Sequence, residues 1–208
     1  KMKKGITKIL SACVFAFVVF LAAGTQSKAA VNMGVKQTGA GSSYVDLAWD
    51  AQLGAGHYHT QFSQDGKNWI DMDNSSSPSE SVYNLTQGAS YYARVVAYKG
   101  SHYTGTHVMI GVSETAIVST KPTEVSGLTQ TAAGVNSVSM SWNASAGAAS
   151  YVIYGYINYN WTQIGTSATN SATITGVAAT TSTRFSVAAV KNVTGGTVTG
   201  DQCSGVEM

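Results

Sequence analysis

Two groups of side chains in this sequence have the types and spacing to do chemistry. The first is a set of four histidines, His57, His59, His102 and His107, which are all the histidines of the chain. Imidazole nitrogens ligate zinc and other transition metals, and three converging rings can hold one ion with a coordination position left open. His57, His102 and His107 are the candidate metal ligands. Against them, solvated loop histidines are common, and no second cysteine or paired carboxylate supports the set.

The second group is aromatic, in the run "YVIYGYINYNW" at 151–161. If the run is a strand, alternation turns Tyr151 and Ile153 inward and Tyr154 and Tyr156 outward together, with Tyr159 in the following turn. Outward rigid rings stack on sugars and anchor protein partners at little entropic cost. Tyrosine is also simply a good strand former that covers its neighbours. Tyr154, Tyr156 and Tyr159 are the candidate binding residues.

A third stretch, "DMDNSSS" at 71–77, has the look of a calcium loop but lacks the central glycine and closing glutamate. It reads as an ordinary polar loop. There is no Gly-x-Ser-x-Gly elbow, no His-Glu-x-x-His and no phosphate loop, and the carboxylates are scattered. The expectation is a chain with no catalytic residues and no cofactor.

The elements that must position these groups begin after a leader. Residues 1–29 carry a basic start (Lys3, Lys4, Lys8), an apolar run from Ile9 to Ala23 and the ending Ser27-Lys28-Ala29. That is the pattern of a secretory signal peptide. The apolar run of 15 residues falls short of the roughly 20 that span a bilayer. Cys13 sits inside that run, not after it, which disfavours a lipid-attachment site. Beyond the leader, seven Lys and Arg face ten Asp and Glu, a formal charge of −3. No basic stripe remains to neutralise phosphates, so nucleic acid is excluded as a partner. Cys203 is the only cysteine left, so no disulfide scaffold supports the fold.

An internal repeat divides the remainder. Shifting the sequence by 93 positions lays "VKQTGAGSSYVDLAWDAQLGAGHY" (35–58) on "LTQTAAGVNSVSMSWNASAGAASY" (128–151), with ten of 24 pairs identical. Trp49 meets Trp142 and Tyr58 meets Tyr151. A period this long means two copies of one domain, not a solenoid. The expected boundaries are a signal peptide at 1–29, a first domain at 30–120 and a second at 121–208, joined around Ser119-Thr120-Lys121-Pro122-Thr123. Within each copy the apolar period is two: Val45, Leu47 and Trp49 in the first, Val138, Met140 and Trp142 in the second. Short β-rich runs broken by Gly, Ser, Thr and Asn predict an all-β chain of two antiparallel sandwiches, each of about seven strands.

These residues resemble the fibronectin type III domain, an immunoglobulin-like β-sandwich. The marks are the tryptophan and tyrosine pair of each copy and the segment "LTQGASYYARVVA" at 85–97, with Leu85, Tyr91, Arg94, Val95 and Ala97 in the family's register. Gln87 and Ala89 depart from the Pro and Thr of that pattern. In the second copy Thr183 stands where the corner tyrosine belongs, so that copy is expected to be the less stable. The resemblance implies a three-stranded sheet on a four-stranded one, without an active site of its own. It also implies that the loop ends carrying His57, His102 and His107 meet at one end of the first sandwich. Bacterial members serve as spacers and display modules on secreted enzymes and surface proteins. The expected function is therefore a secreted or cell-surface module that binds, adheres or spaces, with a protein or glycan at a cell surface or in the matrix as partner. The alternative is an accessory segment of a larger secreted carbohydrate-active enzyme or cell-surface protein, of which this chain is a piece.

Overall fold

The computed structural model describes residues 30–100, 107–177 and 183–208. The expected signal peptide lies outside them. Every regular element among the described residues is a strand.

The first sandwich holds β1 (Ala30–Val31), β2 (Lys36–Ala40), β3 (Val45–Ala48), β4 (His57–Ser63), β5 (Ile70–Ser75), β6 (Ser79–Val82), β7 (Ser90–Lys99), β8 (Val108–Ser113) and β9 (Ala116–Ser119). The second holds β10 (Thr129–Gly134), β11 (Ser137–Ser141), β12 (Ser150–Ile157), β13 (Asn160–Ser167), β14 (Ser171–Thr175), β15 (Arg184–Val193), β16 (Gly196–Thr199) and β17 (Val206–Glu207). In the first, β2-β3-β6 form one sheet and β5-β4-β7-β8 the other, with β1 added to β8 and β9 to β7. The second repeats this order as β10-β11-β14 against β13-β12-β15-β16, with β17 added to β15. The expected three-on-four layering holds. β9 and β17 arise because the last strand of each copy breaks and re-pairs, whereas β1 is the start of the first copy lying parallel to β8.

That break is managed in the same way twice. Val95 and Val187 each lie two residues before the alanine that pairs with the repeated tyrosine, Ala97 with Tyr58 and Ala189 with Tyr151. The Val95 backbone N–H donates to Ser113 Oγ at 2.8 Å. The Val187 N–H donates instead to Cys203 Sγ at 3.2 Å. Cys203 is buried and free. Its sulfur therefore closes a gap in the ladder, which gives Cys203 a structural use.

Alternation puts the repeated aromatics in the two cores. Trp49 is 5% exposed and Trp142 3%. Each indole meets its tyrosine edge-on, Trp49 with Tyr58 at 5.4 Å and 67°, Trp142 with Tyr151 at 5.3 Å and 66°. The tyrosine hydroxyls accept from the backbone of the preceding loop, Tyr58 from Gln52 N and Tyr151 from Ser145 N, both at 3.0 Å. Each tyrosine thereby fixes its loop to the core. Tyr91 does the same at its corner, accepting from Thr86 N at 3.0 Å. Thr183 has no such ring; its backbone exchanges two 3.1 Å hydrogen bonds with Met208, so the chain end braces that corner of the second domain.

The segment between domains is packed. Ser119 and Thr120 are fully buried. The Thr120 hydroxyl donates to Thr86 O at 2.8 Å, and Lys121 N donates to Gly41 O at 2.9 Å. Across the junction, Thr194 N donates to Ile117 O at 2.8 Å and Ile117 N to Thr194 Oγ1 at 2.7 Å. Lys121 pairs with Asp201 at 2.6 Å. Lys191 donates to Gly88 O, and burial pushes its ammonium below the usual lysine range. These contacts tie the turn between β15 and β16 to strand β9, so the two sandwiches sit as a braced pair.

Candidate functional site

The candidate tyrosines sit on the β12–β13 hairpin. Its turn is Asn158-Tyr159, with φ of 49° and 63°. Positive φ at both central residues is the geometry of the two-residue hairpin turn, which ordinarily ends in glycine. Asparagine suits the first place. Tyrosine in the second carries the left-handed penalty of a side chain with a Cβ, ~1–2 kcal/mol. Tyr159 is also 90% exposed, so burial of its ring does nothing to offset that cost.

A two-residue turn sets the register, and Tyr156 falls directly across from Trp161. Their rings are 5.3 Å apart at 60°, and they remain 39% and 37% exposed. The Cη2–Cζ2 edge of the indole rests on Gly205. A Cβ added at Gly205 would stand 2.7 Å from the indole Cη2 and 3.5 Å from Arg184 Nε. Only a glycine leaves room for the indole there. Tyr154 lies two residues back on the same face as Tyr156, half-buried, opposite Gln163. The structure thus brings Tyr156 together with Trp161, sets Tyr159 at the tip and leaves Tyr154 at the rear. Sequence reasoning missed Trp161. Its signal was present, since a two-residue turn after Ile157 makes Tyr156 and Trp161 partners.

The matching surface of the first domain has different chemistry. The Arg94 guanidinium stacks on Trp69 at 4.1 Å, and its Nε donates to Gln61 Oε1 at 2.7 Å. Gln61 in turn donates to Asp71 Oδ1 at 2.7 Å. Burial lowers the Arg94 pKa, with Asp71 opposing. Ser63 is buried and accepts from Gly66 N at 2.9 Å as part of its own turn. Asp71 and Asp73 belong to strand β5, which corrects the reading of their segment as a loop.

The histidines gather at one end of this domain. His57 is 2% exposed, stacked on Tyr98 at 5.1 Å and 10°. Its Nδ1 lies 2.8 Å from Gly100 O, and a carbonyl can only accept, so Nδ1 carries the proton. In the neutral ring Nε2 is then an acceptor, and it faces His107 Nδ1 at 3.1 Å. The His59 ring is 5.4 Å from that of His57. Burial raises the Tyr98 pKa, with Asp71 adding to it. His102 lies outside the described residues. Of the three candidate ligands, His57 and His107 therefore meet. Among the described residues no group of three His, Cys, Asp or Glu side chains is placed to hold a metal ion.

No family model matches the chain, and no curated protein matches it in sequence. Among solved structures it is similar to the FN1–FN3 domains of chicken CNTN1, at 14% identity and a TM-score of 0.47, over 86% of this chain and 67% of that one. It is also similar to a two-domain fibronectin type III segment of chicken tenascin, at 16% identity and a TM-score of 0.41, over 84% and 97% of the two chains. The strand order carries the fold by itself. This chain is two tandem fibronectin type III-like sandwiches.

Proposed function

We propose that the chain is a non-catalytic extracellular module, exported by the leader at residues 1–29. It binds a protein or glycan at a cell surface or in the matrix through the β12–β13 hairpin of its second domain. The observation that supports this most is Tyr159. A bulky residue held at positive φ and left in solvent costs stability, and such strain concentrates where a surface is kept for contact. Tyr156 and Trp161 extend the tip into a platform of three rings. The first domain, braced against the second, then serves to hold that platform away from whatever carries the module.

The test is a printed panel of glycans and extracellular proteins probed with the full chain. Retention on some spots is expected to fall about tenfold in a Tyr156→Ala, Tyr159→Ala double variant, the worth of a central aromatic anchor. Retention unchanged in that variant, or no retention on any spot, refutes the hairpin as the binding surface.

A further inference from the structure

The ligand class can be read from what surrounds the rings. We infer that the hairpin tip takes a neutral saccharide, one sugar ring stacked on Trp161 and Tyr156 with Tyr159 closing from the turn. This rests on the binding reading above and narrows it.

Three observations carry the inference. Residues 150–170, which span both strands of the hairpin, contain no Asp, Glu, Lys, Arg or His. An anionic glycan would find no countercharge on the hairpin itself. A protein epitope would have to desolvate its own charges without compensation, which is costly. What the hairpin does offer beside the rings is amide, from Asn158 in the turn and from Gln163 on the face of Trp161, both exposed. These groups both donate and accept, as sugar hydroxyls do.

The platform is also built in advance. Trp161 is held by Tyr156 across the hairpin and by the bare backbone of Gly205 at its Cη2–Cζ2 edge, so its indole is positioned before any ligand arrives. Preorganised rings lose little freedom on contact, which matters for a ligand as polar as a sugar. The charge nearest the rings is Arg184, beside Gly205, on the strand that pairs with β17 at Glu207. Stacking then acts between the C–H face of the sugar and an aromatic face, with the hydroxyls turned to the amides.

The experiment titrates the full chain with soluble β-1,4-glucan, N-acetylchito- and manno-oligosaccharides, with heparin as an anionic control, reading tryptophan fluorescence. At least one neutral oligosaccharide should bind and change the emission, while heparin does not. Trp161→Ala should weaken that binding about tenfold. Gly205→Ala should weaken it comparably, because it displaces the indole while removing no ring, and it guards against misreading a folding defect. Trp69→Phe, in the other domain, should leave binding unchanged. If no neutral saccharide binds while proteins on the panel are still retained through the hairpin, the saccharide assignment is wrong and the binding reading stands. If neither class is retained through the hairpin, both fall.

Discussion

Trp49→Ala is expected to remove most of the stability of the first domain, and Trp142→Ala most of that of the second. Each indole is almost wholly out of water and packed edge-on against its tyrosine. Truncating a buried tryptophan costs ~3–5 kcal/mol once the cavity is counted. A domain of this size has only ~5–15 kcal/mol in total, so little remains. Each indole N–H is buried without a hydrogen-bond partner among the described residues, and losing that group returns part of the cost. The transfer and cavity terms are larger, so the sign does not change. Urea unfolding should show the transition of the mutated domain moved far toward zero denaturant. Trp161→Ala should shift it by less than about 1 kcal/mol, as a partly exposed ring on one face of a hairpin does. Equal effects from Trp142→Ala and Trp161→Ala would mean that the division into core and platform is misplaced.

Tyr159→Gly is expected to do the opposite to stability while harming function. Glycine relieves the left-handed penalty of ~1–2 kcal/mol at the turn. It adds back ~0.5–1 kcal/mol because the unfolded chain gains freedom. The net gain is about 0–1.5 kcal/mol, centred near 0.75 kcal/mol, which raises the melting temperature of a domain this size by several degrees. Panel retention through the hairpin should fall several-fold, since the ring at the tip is gone. A tip residue whose removal stabilises the fold is one held there for contact. A lowered melting temperature in Tyr159→Gly would show that the ring supports the fold, and that the strain has another origin.

The architecture is legible in the sequence because it is written twice. Trp49 and Trp142, Tyr58 and Tyr151 recur at one spacing, and strand alternation alone turns them inward. The three-on-four layering follows from the resemblance those residues carry. The broken last strands are not legible, because Ser113 and Cys203 reach their donors across the sheet from distant parts of the chain.

The candidate sites are legible in part. Alternation places Tyr154 and Tyr156 on one outward face, but the partner of Tyr156 depends on a tight turn whose second residue is tyrosine where glycine is the usual signal. Trp161 therefore becomes legible as the partner of Tyr156 only once the turn is placed directly after Ile157. His57 reads as the end of a loop. It is buried because Gly100 and Tyr98, far along the chain, close over it.

The most direct test of where this module makes contact is chemical-shift mapping of the full chain with whichever panel molecule it retains. If the hairpin is the site, the perturbed amides cluster within residues 154–163 and at Gly205, and the core positions around Trp49 and Trp142 stay unchanged. Perturbations centred instead on His57 and His107, or along the junction at Thr194 and Ile117, would contradict the assignment.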